Sequence, residues 1–168
     1  MKNLAILRKL ISLYYYLMVI LFAIGLITIP FLLYLGKKTE VSFFGDQINI
    51  NSLSSTKTAI APFLIGSLYL LYFLSIRLIK NTVDILATGV YFTQMVISNF
   101  KKAGNYFIAI GIGATIVKII VDLLVLSELK INIDGGMLVF ILFGLFFMFL
   151  SEAFAKAQTI NEENDLTI

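Results

Sequence analysis

The amino-acid sequence predicts an all-α membrane protein. It has four transmembrane helices, a small extracytoplasmic β-hairpin between helices 1 and 2, and an amphipathic cytoplasmic helical elbow between helices 2 and 3. Of the 168 residues, 60% are hydrophobic and 14% are charged, whereas a soluble domain has about 45–50% apolar and roughly 25% charged residues. The apolar residues form four long runs, and lysine and arginine cluster between them, as in multi-pass membrane proteins.

Each apolar run is long enough to cross a bilayer core about 30 Å thick, which takes about 20 helical residues. The first run is far longer than the roughly 7–15 apolar residues of a secretory signal peptide, and no small-residue cleavage site follows it. We therefore expect a single integral membrane domain with spans at about 10–36, 58–76, 103–127 and 135–153, the elbow at 77–102 and a C-terminal tail at 154–168.

The segment after span 1 predicts the β-hairpin. Apolar and polar residues alternate on both sides of a two-residue turn signal, with Val41 and Phe43 before Gly45-Asp46, and Ile48 and Ile50 after it. A disordered polar loop is the alternative.

The segment between spans 2 and 3 is too polar to cross a membrane and too periodic to be a linker. Polar residues such as Arg77, Lys80 and Asp84 recur on one helical face, and Gly89 predicts a break. This elbow either lies on the inner membrane surface or extends spans 2 and 3 beyond it. Attraction to anionic lipid and docking of a partner protein both explain its basic amphipathic character.

The distribution of basic residues predicts that both termini are cytoplasmic. Eight lysines and arginines flank the spans on one side and four on the other. The first group is Lys2, Arg8, Lys9, Arg77, Lys80, Lys101, Lys102 and Lys156, and the second is Lys37, Lys38, Lys57 and Lys130.

Span 3 contains two charged residues, Lys118 and Asp122. An intramembrane charge costs about 2.5–3.5 kcal/mol on insertion scales, so such residues are candidate functional groups. They lie four positions apart and share a helical face with Gly104, Gly111 and neighbouring small residues, which favours packing towards other helices. A self-neutralising pair that helps packing and an ion- or proton-responsive site both remain open.

The composition argues against an enzyme. The chain has no His, Cys or Trp, so imidazole and thiolate metal sites and most nucleophile–base pairs are excluded. Glycine-rich "GIGAT" lies inside an apolar span, not between a strand and a helix, and does not predict a phosphate loop. We expect no catalytic residues, no cofactor and no metal site. Direct nucleic-acid binding is not expected either, because the basic residues are few and an acidic tail lies beside them.

The chain ends in "NEENDLTI", in which an acidic cluster precedes an apolar-polar-apolar terminus. The candidate partner-binding residues are Glu162, Glu163, Asp165, Leu166, Thr167 and Ile168. Three alternatives stand: a frayed tail, a segment that folds back onto Lys101 and Lys102, or a ligand for strand addition or carboxylate capture by another protein.

Three stretches carry a resemblance to a known family. They are "GVYFTQMVISNFKKAGNYF" in the elbow, "EAFAKAQTINEENDLTI" at the exit from span 4, and the terminal "NDLTI". The chain resembles the "domain of unknown function 2975" family of small bacterial four-helix integral membrane proteins, and the resemblance covers essentially the whole chain. Ala157 departs from the family pattern, which has glycine there.

The resemblance implies a bacterial cytoplasmic (inner) membrane protein without catalytic activity, encoded beside a small helix-turn-helix transcription regulator. The leading hypothesis is a regulatory or adaptor protein whose cytoplasmic face binds such a soluble partner. The alternative is a small transporter or channel subunit that uses Lys118 and Asp122, and a third is a scaffold that acts on lipid packing. The sequence leaves open the stimulus, the identity of the partner and whether the chain forms a homo-oligomer.

Overall fold

Four long α-helices make up most of the protein: α1 Lys2–Tyr34, α2 Ser55–Ala87, α3 Gln94–Val125 and α4 Gly135–Asp165. Two short strands, β1 Glu40–Phe43 and β2 Asp46–Asn49, lie between α1 and α2. The structure is a computed structural model. It describes the backbone of residues 2–34, 40–43, 46–49, 55–125 and 135–165, and the side chains of residues 3–28, 63–123 and 135–164.

Consecutive helices run in opposite directions and pack against each other, α1 on α2, α2 on α3 and α3 on α4. Contacts at one end of the bundle show this arrangement. Arg8 near the start of α1 bonds Asp84 near the end of α2, and Ser151 late in α4 bonds Ile97 early in α3. We call this end, formed by the start of α1, the α2–α3 turn and the end of α4, the turn end.

Helix α3 lies at the centre of the packing. In the most apolar stretch of α3, 44% of the residues are buried, against 6% in that of α1. Its buried residues recur with the 3.5-residue spacing of a coiled-coil seam, and they are Val96, Ile97, Phe100, Ala103, Gly104, Phe107, Ile110, Gly111, Ala114, Val117, Lys118, Val121 and Asp122. The seam packs between α2 and α4, whereas the large apolar side chains of α1 are mostly exposed.

Small residues bring α3 and α4 close together. A Cβ atom added to Gly111 would lie 2.9 Å from the carbonyl oxygen of Met137 and 2.6 Å from a side-chain carbon of Ile141. Gly104 is equally restricted by the α4 backbone. The prediction that this face of span 3 turns towards another helix is therefore confirmed, and the partner helix is α4.

Of the two arrangements predicted for the elbow, the structure shows the one in which the elbow extends spans 2 and 3. Residues 77–87 are the last part of α2 and residues 94–102 are the first part of α3, so no separate helix lies between them. The break predicted at Gly89 is confirmed by its positive φ of 88°. The amphipathic pattern of residues 77–102 arises because the ends of two long helices each have one packed face and one exposed face.

The predicted fold class was wrong in its β-hairpin. A turn at Gly45-Asp46 would leave Asp46 outside the strands, but Asp46 pairs with Phe43 as the first residue of β2. Ile50 lies outside the described residues. Two strands of four residues are only marginally stable as an independent unit. The fold is therefore classified as all-helical, by its four long apolar helices and not by a β-hairpin.

Candidate functional site

An ion-pair network joins α1 to α2 at the turn end. The Arg8 Nε atom donates a hydrogen bond of 2.7 Å to one carboxylate oxygen of Asp84, and the Lys80 ammonium donates one of 2.8 Å to the other. The Lys80 ammonium also lies 5.9 Å from the centre of the Tyr15 ring, within cation–π range. Asp84 thus neutralises two cations from two helices and fixes the start of α1 against the end of α2.

Three tyrosines form a second link between α1 and α2, deeper in the bundle. The hydroxyl groups of Tyr14 and Tyr72 are 2.6 Å apart, and the Tyr69 hydroxyl donates to the carbonyl oxygen of Met18 at 3.3 Å. The Tyr72 ring also meets Phe107 of α3 and Phe140 of α4 edge to face. Tyr72 therefore connects the peripheral helix α1 with the centre of the bundle.

The α2–α3 turn presents apolar side chains at the surface. Helix α2 ends at Ala87, Gly89 reverses the chain with its positive φ, and the Thr93 side chain caps α3 by accepting a bond from the Val96 amide. Phe92 packs on Phe154 of α4 but remains 44% exposed. Exposed large apolar residues in and next to the turn are Val90, Phe92 and Met95.

Helix α4 continues past the turn. The Ser151 hydroxyl donates a bond of 2.8 Å to the Ile97 carbonyl oxygen, which puts the two residues at the same level. Because α3 begins one turn before Ile97, the end of α4 projects past it by roughly 16 Å at 1.5 Å per residue. We call residues 155–165 the α4 extension.

The α4 extension is mostly polar, with exposed Ile160, Glu162 and Glu163. Gln158 bonds Glu162 at 2.9 Å along the helix, and Glu163 also has an interaction partner. The residues predicted to form a tail are therefore helical through Asp165. The side chain of Asp165 and the predicted binding residues Leu166, Thr167 and Ile168 lie outside the described residues.

The proposed contact between the tail and Lys101 or Lys102 is not formed by the described residues. Starting from the Ser151–Ile97 bond, Lys101 lies about 6 Å along α3 in one direction. Glu162 lies about 16 Å along α4 in the other direction, so roughly 22 Å separate them along the helix axes. A straight extension of α4 carries its carboxylates away from these two lysines.

Lys118 and Asp122 are both buried, at 7% and 4% exposure, on the seam of α3. Lys118 is one heptad beyond Gly111 and so continues the row of residues that faces α4. Among the described residues, the ion pairs within 4 Å both involve Asp84, and Lys118 has an interaction partner of its own. The structure thus brings both charges to the same buried face, without a direct salt bridge between them in the described part of the chain.

Hydroxyl groups within the spans bond carbonyl oxygens of their own helices, and Thr115 also contacts α4. Thr115 donates to the Gly111 carbonyl oxygen at 3.2 Å and lies 3.1 Å from the Met137 sulfur. Thr28 and Ser67 bond carbonyl oxygens of their own helices. No group of three or more His, Cys, Asp or Glu residues that could hold a metal ion occurs in the described part of the chain.

The fold defines the class of protein. Four helices, spanning Asn3–Thr28, Phe63–Ala87, Gln94–Leu123 and Gly135–Asn164, are long and apolar enough to cross a membrane. The chain is therefore a multi-pass membrane protein. No family model, no curated protein and no solved structure matches it. Membership of the "domain of unknown function 2975" family stays a prediction from the sequence.

Proposed function

We propose that this protein is a non-enzymatic adaptor of the bacterial cytoplasmic membrane, with both termini in the cytoplasm. Its turn end binds a soluble partner. The orientation is supported by the eight lysines and arginines on the side of the turn end against four on the other side. Arg8 and Lys80 bond Asp84 at this end, as expected where the helices meet the aqueous phase.

The α4 extension carries the proposal. It projects roughly 16 Å past the start of α3 and exposes carboxylates with one large apolar side chain, Ile160. Its polar composition is unsuited to lipid, and no anchoring role on anionic lipid fits a segment rich in acids. A rigid, acidic helix with an apolar contact point, beside the exposed Phe92 and Met95 of the turn, is suited to bind a protein with a basic surface.

The partner class comes from the family resemblance, and the charge of the α4 extension is compatible with it. A small helix-turn-helix regulator binds DNA phosphates through lysines and arginines. The carboxylates of Glu162, Glu163 and Asp165 would compete with DNA for the same basic surface. Binding at the membrane would thus withdraw the regulator from its operator, which links a membrane protein to transcription without any catalytic step.

Photo-crosslinking from position 160 in intact membranes tests the proposal. An unnatural photoreactive residue in place of Ile160 should capture a soluble, basic protein, and Glu162→Gln with Glu163→Gln should reduce its yield. Glu152→Gln is the matched control, because Glu152 is an exposed acid of α4 outside the extension. Unchanged recovery after deletion of residues 161–168 would exclude a role for the tail.

A small transporter or channel subunit is the second candidate. The burial of Lys118 and Asp122 on the α3 seam favours it, since buried intramembrane charges often mark ion or proton pathways. Flux into liposomes, compared between the wild type, Lys118→Met and Asp122→Asn, separates the two functions. The adaptor proposal predicts no flux above that of empty vesicles, and a flux abolished by either variant would favour the transporter.

A further inference from the structure

A cavity with two cations opens between α2 and α3 near the turn end. Its volume is about 270 Å³, and it is lined by Leu74, Arg77, Leu78, Asn81, Lys102 and Tyr106. Arg77 and Lys102 come from different helices, so the cavity exists only because α2 and α3 pack together. We call it the Arg77–Lys102 cavity.

The charges of α2 are balanced at Asp84 but not at the cavity. The carboxylate of Asp84 bonds both Arg8 and Lys80. No acidic residue is among the residues that line the cavity. Within the part of the chain that the structure describes, the ion pairs do not include Arg77 or Lys102. The cavity therefore brings two cations together without an acidic residue in its lining.

The lining changes from apolar to polar along the helix axes. On α2, Leu74 lies deepest in the bundle, Arg77 and Leu78 follow, and Asn81 lies nearest to the turn. On α3, which runs the other way, Lys102 is nearer to the turn than Tyr106. Leu74 on the membrane side, with Arg77, Lys102 and Asn81 closer to the turn, matches the order of groups in a phospholipid from acyl chain to headgroup.

The polar groups have the chemistry of a phosphate site. A guanidinium binds phosphate oxygens through two parallel hydrogen bonds, and an ammonium acts as a point charge beside it. The Asn81 amide and the Tyr106 hydroxyl add neutral donors. Basic pockets between transmembrane helices at the cytoplasmic side are suited to anionic lipid headgroups.

We propose that the Arg77–Lys102 cavity binds the headgroup of an anionic phospholipid, with Arg77 and Lys102 on its phosphate and Leu74 on the start of an acyl chain. This inference depends on the membrane location of the protein but not on its binding a soluble partner. A specific site differs from general attraction of a basic surface to lipid, because it requires the two cations that line the cavity and not a neighbouring cation outside it.

Lipid retention measured by native mass spectrometry tests the site. The full-length protein is released from micelles that contain phosphatidylglycerol or phosphatidylcholine, and bound lipids are counted. Arg77→Gln or Lys102→Gln should lower phosphatidylglycerol affinity about fivefold, and the double variant about thirtyfold, from the contribution of each cation near a membrane surface. Lys101→Gln is the control, since Lys101 is exposed like Lys102 and carries the same charge but does not line the cavity.

The outcomes separate the alternatives. Preferential retention of phosphatidylglycerol by the wild type and by Lys101→Gln, with loss in the double variant, supports the proposal. Equal loss in Lys101→Gln would overturn it in favour of general electrostatic attraction. Equal retention of phosphatidylcholine would overturn the preference for an anionic lipid. Displacement of phosphatidylglycerol by millimolar inorganic phosphate would reassign the cavity to free phosphate.

A fold control accompanies these measurements. Arg77→Lys keeps the charge but not the paired hydrogen bonds of the guanidinium, so its lipid retention should lie between those of the wild type and Arg77→Gln. All variants should show the thermal stability of the wild type in lipid-free detergent. Lipid retention in Arg77→Gln equal to that of the wild type would overturn the proposal. Partner capture at position 160 should be unchanged in the double variant. The lipid site and the binding of a soluble partner are therefore tested independently.

Discussion

Gly104 of α3 and Gly144 of α4 face each other where the two helices pack, and a Cβ atom on either residue would lie 2.8 Å from the carbonyl oxygen of the other. Both hypothetical atoms would also come within 3.0 Å of a backbone nitrogen of the opposite helix. The obstacle is backbone, which cannot rotate away as a side chain can. These glycines therefore set the distance between the two helices that pack most extensively.

Replacing either glycine should destabilise the bundle. Gly104→Ala and Gly144→Ala are each expected to lower the free energy of unfolding by about 1–3 kcal/mol, because the added methyl group forces the helices apart. The measurement is unfolding in mixed detergent micelles followed by circular dichroism. Gly66→Ala is the matched control, since a Cβ atom at this position of α2 meets nothing within 4 Å. Equal stability of Gly144→Ala and Gly66→Ala would contradict the close approach.

Removing the charge of Asp84 should loosen the start of α1. Asp84→Asn removes the negative charge that pairs with both Arg8 and Lys80 and leaves one acceptor oxygen, and each such partly exposed pair is worth about 0.2–1 kcal/mol. Hydrogen exchange of the first turns of α1 should become faster, while exchange in α3 stays unchanged. High salt should diminish the difference between wild type and variant, because it screens exposed charges. Exchange in Asp84→Asn that matches the control Glu152→Gln would show that the network does not hold α1.

The hydrogen bond between Tyr14 and Tyr72 should appear as a coupling energy. Tyr14→Phe, Tyr72→Phe and the double variant form a thermodynamic cycle, with an expected coupling of about 0.5–1.5 kcal/mol. Unfolding in detergent provides the free energies. Tyr16→Phe should show no coupling to Tyr72→Phe, because Tyr16 is exposed and is not hydrogen-bonded to Tyr72. Additive effects of Tyr14→Phe and Tyr72→Phe would be incompatible with the bond.

Substitution of Gly89 should destabilise the protein through the backbone conformation of this residue and not through a steric clash. A Cβ atom there meets nothing within 4 Å, but the φ of 88° lies in the left-handed region. Gly89→Ala is expected to cost about 1–2 kcal/mol, and Gly89→Asn less, since asparagine tolerates this conformation better. Thermal stability in detergent measures both. A stability of Gly89→Ala equal to that of Gly66→Ala would mean that the turn adopts another conformation.

The candidate site was predicted in part. Span 3 contains Lys118 and Asp122 with a spacing of four residues, and their shared face follows from helical geometry alone. The Asp84 network was missed, because the sequence places Arg8 and Asp84 on different spans, and their meeting depends on how α1 and α2 are rotated and aligned. The one available signal was an acid beside Lys80 in an otherwise basic segment, which indicates a local pair and not a bridge between helices.

The acidic end of the chain shows the same limit. Composition identified Glu162, Glu163 and Asp165 as a candidate binding segment, but not whether it is a tail or a helix. A polar segment with few aromatic residues is compatible with either state. The segment is helical through Asp165. It continues the apolar part of α4, and an existing helix adds each further residue without repeating the cost of nucleation.

The sequence by itself determined the four apolar helices, their alternating direction, the small-residue face of α3 and the break at Gly89. Each of these depends on local composition or on periodicity within one segment. Only the tertiary structure decided that Gly104 meets Gly144, that Asp84 bonds Arg8 and Lys80, and that Arg77 and Lys102 share one cavity. These relationships join residues of different helices. They depend on the register and rotation of one helix against another, which apolar surfaces alone leave undetermined.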